Sequence, residues 1–293
     1  MPATISETIA DWYAAGHREL PWRAEGYPAW GILVSEFMLQ QTPVARVIPL
    51  LAAWLERWPT PADLAAVPPG EAVRAWQRLG YPRRALALHA AATVIAEQHG
   101  NVVPRDVDAL LTLPGVGPYT ARAVAAFAYG VRTPVVDINT RRVLARAIDG
   151  HGEPGPAQTR RELEQLEQLL PPDDARAHAV NAGIMELGQT ICTARAPACE
   201  ACPIAAGCAW RAAGYPAYQG KSAPRQKKYE GSDRQVRGRI LQELRASDTA
   251  VPAAVIAGLW PDAVQLERSL SGLVRDGLVT GSPAGGYELP TGT

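Results

Sequence analysis

The chain has 293 residues with 47% hydrophobic content, enough for a sizeable core in one large or two to three smaller domains, and 29 basic side chains balance 29 acidic ones. Zero net charge argues against a strongly basic nucleic-acid binder, no apolar run of about eighteen residues predicts a transmembrane helix, and the N-terminus lacks the basic start and apolar stretch of a signal peptide. The balance conceals a local bias: Arg outnumbers Lys 26 to 3, the lysines are Lys221, Lys227 and Lys228, and residues 221–245 carry eight basic against three acidic side chains.

The first informative pattern is Pro28–Thr42, PAWGILVSEFMLQQT. Its apolar residues cover nearly every side of a helix, so the helix is expected to be buried. Glu36 is its only ionisable residue. A buried carboxyl either pairs with an Arg or stays protonated, and a protonated Glu at neutral pH is what a general acid requires.

Apolar residues recur at helical spacing in Val47–Trp54, Ala72–Leu79, Leu86–Ile95 and Val107–Leu113, with Pro or Gly at most junctions. Leu113–Thr120, LPGVGPYT, then joins two helical patterns. Gly115 and Gly117 permit positive φ and close backbone approach, and Pro118 suits a first helical turn. The turn is either a generic helical connection or a helix-hairpin-helix, whose amides grip a phosphate.

Helical spacing continues through Ala121–Phe127, Arg141–Ile148 and Arg160–Leu170. Asp137 lies just before the helix of Thr133–Arg146, with Asn139 or Thr140 as the expected N-cap. A helix N-terminus holds such a carboxylate ionised. Asp137 is therefore either just a helix cap or the negative partner of Glu36; one carboxyl poised to donate and one held negative is the division of labour of glycosidic cleavage. Glu186, in MELGQTIC (185–192), either assists that chemistry or pairs with an Arg.

All four cysteines follow within seventeen residues: Cys192, Cys199, Cys202 and Cys208, spaced C-x6-C-x2-C-x5-C. Clustering of this kind points to a metal or an iron–sulfur cluster rather than to disulfides. Residues 214–233 are rich in Gly, Pro, Ser and charge and read as a linker. Beyond it, helical stretches Arg234–Arg245, Val251–Leu259 and Ala263–Arg275 precede a hairpin over Gly277–Leu289 with its tip at Pro283–Gly286. Three helices and a hairpin form a winged-helix pattern, or else a structural cap or dimerisation module. The basic residues nearby either hold DNA phosphates or are simply solvated.

Taken together, LPWR (20–23), SEFMLQQTPV (35–44), LGYPRRALALH (79–89), LPGVGPYTARAV (113–124), VVDINTRRVLAR (135–146), MELG (185–188) and the cysteines resemble, in the same order, the MutY-type adenine DNA glycosylases of the helix-hairpin-helix superfamily, which also includes endonuclease III. The resemblance covers roughly residues 8–215. It implies an all-α fold of two modules: residues 1–28 with 134–213 around a 4Fe–4S cluster, and a six-helix module over 29–133. The linker and a winged-helix-like module (234–293) follow. It implies a base-excision repair enzyme that acts on double-stranded DNA, flipping out and removing adenine opposite 8-oxoguanine or guanine. Such a protein would be a monomer in the bacterial cytoplasm, at the nucleoid and away from membranes.

By the same resemblance, Glu36 is the acid that protonates adenine N7, Asp137 the stabiliser of the oxocarbenium-like sugar, and Asn139 the residue that orients this site. Gln41 and Tyr81 are wedge residues at the lesion pair. Trp22, Arg23 and Glu186 line the adenine pocket, and Thr42 and Leu79 belong to the same pocket-and-wedge set. Leu113, Gly115, Val116, Gly117 and Thr120 hold a DNA phosphate, and Cys192, Cys199, Cys202 and Cys208 hold the cluster. Tyr119 stands where lyase-active relatives carry a catalytic Lys. No lysine precedes Lys221, so the expected enzyme is monofunctional, because a Schiff base needs an amine.

Departures also appear. About sixty residues replace the usual Nudix-like domain that reads 8-oxoguanine, Phe127 is the last phenylalanine, and Pro82, Ile138 and Thr140 differ from the commoner residues. Two alternatives remain: a thymine or uracil mismatch glycosylase of the same fold, from which Glu36 and its context argue away, and a non-catalytic DNA-binding protein with a structural cluster, against which the Glu36 and Asp137 pair argues.

Overall fold

A computed structural model describes residues 4–220 and 228–292. Residues 221–227 of the expected linker, with Lys221, Arg225 and Lys227, lie outside these residues. The described residues form two compact units. One comprises 4–32, 105–108 and 117–220; the other comprises 33–104, 109–116 and 228–292. Among them, no helix is long and apolar enough to cross a membrane.

The chain is helical nearly throughout. α1 (Ile5–Gly16) starts at a capping box in which Thr4 and Glu7 satisfy each other's amides. α2 (Ala29–Leu39), α3 (Val44–Arg57), α4 (Pro61–Ala65), α5 (Pro69–Ala75) and α6 (Arg83–Gln98) follow. α7 (Val107–Leu111) and α8 (Pro118–Tyr129) flank the Gly-rich turn. α9 (Ile138–Ala147), α10 (Thr159–Leu169), α11 (Asp174–Thr190) and the single turn α12 (Ala209–Ala212) lead through the cysteine segment.

In the first unit, α1 and α9 pack on α11. Ile9, Val143, Leu144, Val180, Ile184 and Leu187 form its core, and Cys192, Cys202 and Cys208 pack against its edge. Gly183 and Gly188 allow this approach: a Cβ at Gly183 would stand 2.7 Å from an Ile9 methyl group, and one at Gly188 would stand 2.7 Å from Asn139 Cβ.

In the second unit, α4 and α5 pack on α6 around three tryptophans. Trp54 meets Trp58 and Trp76 edge-on at ring separations of 4.7 and 5.7 Å, respectively. The helix expected over Ala72–Leu79 ends at Ala75. Gln77 adopts φ 46°, and the Trp76 indole donates to the Gly80 carbonyl at 2.9 Å, closing a turn where the apolar pattern continued.

The C-terminal residues form α13 (Asp233–Ala246), α14 (Ala253–Ala257) and α15 (Ala263–Arg275), then the antiparallel strands β1 (Thr280–Ser282) and β2 (Gly286–Glu288). Val251 exchanges both backbone hydrogen bonds with Tyr287 and so extends the hairpin. These are the three helices and hairpin expected from sequence.

Candidate active site and cluster loop

α2 is buried along its length, as its all-round apolar sequence predicts, and Glu36 is only 6% exposed. Just beyond the helix, Gln41 takes φ 57°, and its side-chain oxygen accepts a hydrogen bond from the Tyr81 hydroxyl at 2.7 Å. Buried Thr42 donates to the Leu79 carbonyl at 3.0 Å. Gln41, Thr42, Leu79 and Tyr81, far apart in sequence, thus meet at one place. Tyr81 is itself 47% exposed and left-handed, with φ 46°.

Arg84, which the motifs did not single out, joins the two chain segments of this site. Its Nη1 donates to the carbonyls of Phe37 at 2.8 Å and Gln40 at 2.6 Å, and its Nη2 donates to Gly80 at 3.1 Å. One guanidinium therefore caps the C-terminal carbonyls of α2 and fixes the turn before Tyr81. Burial lowers its pKa to about 10, so it remains cationic at neutral pH. The only signal in the sequence was a basic pair, Arg83–Arg84, at a helix start.

The turn between α7 and α8 meets the expectation at Gly115 but not at Gly117, which is extended at φ −95° with open space where a Cβ would stand. Gly115 has φ 75°, Val116 donates its amide to the Leu113 carbonyl at 3.1 Å, and Gly117 caps α8 with Pro118 in its first turn. Leu113, Val116 and Thr120 are buried beneath it. A Cβ at Gly115 would meet that of Ala87 at 2.6 Å, so only glycine fits there. Tyr119 packs against Ala123, Ala126 and Val135.

Asp137 is itself the N-cap of α9, the cap role weighed for it, and Asn139 and Thr140 lie inside the first turn. One carboxylate oxygen accepts from the Thr140 amide at 2.7 Å, and the other from the Asn139 side-chain amide at 2.6 Å. Asn139 accepts in turn from Arg142 at 2.8 Å, and Arg142 also donates to the carbonyls of Gly188 and Cys192, at 2.6 and 2.7 Å. Hydrogen bonds thus run without a break from the Asp137 carboxylate to the cysteine loop.

Glu186 is buried in ion pairs. Arg18 engages both its oxygens, at 2.6 and 2.7 Å, and Arg23 adds a contact at 2.9 Å. Burial acts to raise this carboxyl, but the hydrogen bonds from Arg18 and Arg23 prevail and hold it below its ordinary value. Of the two roles considered for Glu186, the structure displays the ion pair. Trp22 and Arg23 form a short 3-10 turn, Pro21–Arg23.

Cys192, Cys199, Cys202 and Cys208 are all free thiols and line a single cavity with Val143, Leu187, Ile204 and Trp210. Among the described residues, no three Cys, His or carboxylate groups are placed to share one metal ion. The arrangement fits a multi-iron cluster, in which each thiolate binds its own iron. Burial pushes the Cys202 thiol up to about 11, so metal binding is what removes its proton. Buried Arg146 places Nη1 3.4 Å from Cys192 Sγ, donates to the carbonyls of Gly152, Thr193 and Ala194, and lies over the Trp210 ring. A cation so placed offsets thiolate charge.

Comparison with known proteins agrees with this geometry. Residues 34–168 match the family described as the HhH-GPD superfamily base excision DNA repair protein, and residues 192–208 match the iron–sulfur binding domain of endonuclease III. The adenine DNA glycosylase of Mycolicibacterium smegmatis is 53% identical over 282 residues, covering 96% of this chain and 94% of that one. The chain belongs to the adenine DNA glycosylases.

The enzyme is therefore a base-excision repair hydrolase of N-glycosidic bonds, with a helix-hairpin-helix glycosylase fold and a 4Fe–4S cluster. The adenine DNA glycosylase of Mycobacterium tuberculosis is 50% identical over 291 residues, 99% of this chain and 95% of that one. Such coverage leaves no room to omit the C-terminal module, so these relatives extend through it as well. A solved thermostable thymine-DNA glycosylase is similar in fold, with a TM-score of 0.64 at 29% identity, covering 71% of this chain and 95% of that one.

Proposed function

We propose that the enzyme removes adenine mispaired with 8-oxoguanine or guanine in double-stranded DNA and leaves an abasic site. Glu36 donates a proton to adenine N7, which draws the glycosidic electron pair into the base. The bond breaks, and positive charge develops on the sugar. Asp137 stabilises that charge or bonds to it transiently, Asn139 orients the carboxylate, and Glu36 then activates the water that adds to the sugar. When bound by the four thiolates, the 4Fe–4S cluster supplies a covalent cross-link of the loop rather than base chemistry.

Supporting this division are the opposed settings of the two carboxyls. Glu36 is buried in an apolar helix, whereas both Asp137 oxygens accept hydrogen bonds at the start of α9. Gln41 and Tyr81 act as the wedge that replaces the flipped base, with Thr42 and Leu79 supporting them. Trp22, Arg23 and Glu186 line the base pocket, and the Leu113–Thr120 turn holds a phosphate. The enzyme acts as a monomer at the bacterial nucleoid.

The test is excision from duplexes containing 8-oxoG·A, G·A, G·T and G·U. Adenine release that disappears in Glu36→Gln supports the reading, whereas release of T or U but not A replaces it with the pyrimidine alternative. Borohydride trapping examines the missing lyase step: Tyr119 occupies the hairpin position and no lysine precedes Lys221, so little covalent adduct is expected.

A further inference from the structure

The C-terminal module packs against both ends of the turn that presents Tyr81. Upstream, Arg74 in the last turn of α5 donates to the carbonyl of Arg245, and to that of Ser247 at 3.0 Å. Arg245 returns the contact, its Nε donating to the Val73 carbonyl at 2.9 Å. Each arginine thus satisfies carbonyls at the end of the other's helix. The Gly70 amide donates to the Pro290 carbonyl at 2.8 Å, and a Cβ on Gly70 would stand 2.5 Å from that oxygen. Downstream, Asp276 at the end of α15 lies 3.6 Å from Arg83, the first residue of α6, and also accepts from Arg237.

Between these anchors the backbone is strained. Gln77 and Tyr81 both have φ 46°. Left-handed backbone is unfavourable for a non-glycine residue and persists only where its surroundings enforce it. The winged-helix pattern would otherwise suggest a DNA-reading module, but α15 is poorly equipped for that. Arg268 is held by Asp233 through two hydrogen bonds, at 2.7 and 3.0 Å, and the remaining exposed face carries Ala263, Val264, Glu267, Ser271 and Val274, with Arg275 in the last turn its one other cation.

We propose that the C-terminal module is a positioning brace: it fixes both ends of the Trp76–Pro82 turn and so holds Tyr81 and Gln41 in the geometry that discriminates a mispair from matched DNA. This rests on the wedge role assigned to Tyr81 under the proposed function. Arg245 and Asp276 act through the turn and touch no base.

The experiment compares full-length Arg245→Gln and the milder Asp276→Asn with Tyr81→Ala. Amide hydrogen exchange over residues 76–82 reports on the brace alone, and binding to G·A and matched duplexes over a range of salt reports on recognition. In both brace variants, exchange in the turn should rise. Arg245→Gln should lower mispair-over-matched discrimination by about tenfold, a 1.4 kcal/mol effect. Arg245→Gln/Tyr81→Ala should be no worse than Tyr81→Ala, because the two changes act through one element.

Unchanged exchange over 76–82 in both folded variants overturns the brace, as does a purely additive double variant. Equal loss of matched and mispaired binding, with a shallower salt slope, also overturns it and makes the module a phosphate contact. If Tyr81→Ala leaves discrimination intact while exchange still rises in the brace variants, the wedge reading fails but the mechanical link stands.

Discussion

Arg84 links more of the candidate site than any residue that motif reading singles out. Its donors serve the end of the Glu36 helix and the turn before Tyr81. Arg84→Met would take this donor from the part-buried carbonyls of Phe37 and Gln40 and should cost about 1–3 kcal/mol in urea unfolding. Arg84→Lys should recover little, because an ammonium cannot fork to two segments.

Glu186 adds a pH dependence of known sign. Its folded-state pKa lies below the ordinary 4.5, so its ion pairs stabilise the protein fully above that pH and lose their contribution as pH falls through the folded value. The gap in Tm between wild type and Glu186→Gln should therefore be widest near neutrality and close as pH falls from 4.5 through the lowered folded value. These arginine partners were not legible in the sequence. Glu36, Asp137 and the cysteines are conspicuous for their type and setting, whereas Arg18, Arg84, Arg142 and Arg146 are four among 26 arginines. Only tertiary packing shows which of them turn inward.

At the level of the element, the start of α9 shows what local pattern can and cannot decide. Asp137, Asn139 and Thr140 are all able to cap a helix, and spacing alone leaves the choice open. The structure chooses Asp137, while Asn139 is pressed against Gly188 and held by Arg142. Capping and chemistry can then be separated. Asn caps a helix about as well as Asp, so Asp137→Asn should shift stability by less than about 1 kcal/mol while reducing single-turnover excision by orders of magnitude. A comparable loss of stability and activity would make Asp137 a cap alone.

Gly188→Ala tests the packing of α9 on α11. Alanine is worth about 1 kcal/mol more than glycine within a helix, but the new Cβ would stand 2.7 Å from Asn139 Cβ and 2.9 Å from its carbonyl oxygen. Overpacking of this kind should give a net loss of about 1–2 kcal/mol, with slower excision as Asn139 shifts. The end of α5 makes a similar point. Apolar spacing continues to Leu79, but the Trp76 side chain and the brace beyond it impose a turn that periodicity does not record.

For the whole molecule, the cluster loop decides whether the first unit can close its core. Between Cys192 and Cys208 the chain forms only short 3-10 turns, Cys199–Ala201 and Ala205–Gly207, with little helical hydrogen bonding of its own. Yet Ile204, Cys192, Cys202 and Cys208 pack against the core that carries α9, and Arg142 and Arg146 donate to carbonyls of this loop and its neighbours. Cysteine spacing made the loop and its cofactor legible in sequence; its hydrogen-bonded connection to Asp137 was not, because that connection depends on which way two arginines point. Without the cluster, four thiols remain around a cavity, and nothing covalent ties the loop ends together. Cys202→Ser should therefore lower iron per chain and lower Tm by roughly 6–12 °C, the shift that a loss of about 3 kcal/mol produces in a unit of this size. Hydrogen exchange should rise first in 192–208, then at the amides of α9 near Asp137, while α4–α6 of the second unit stay protected. Iron loss with an unchanged Tm and unchanged exchange at α9 would separate the cluster from the fold and leave the arginines to hold the loop by themselves.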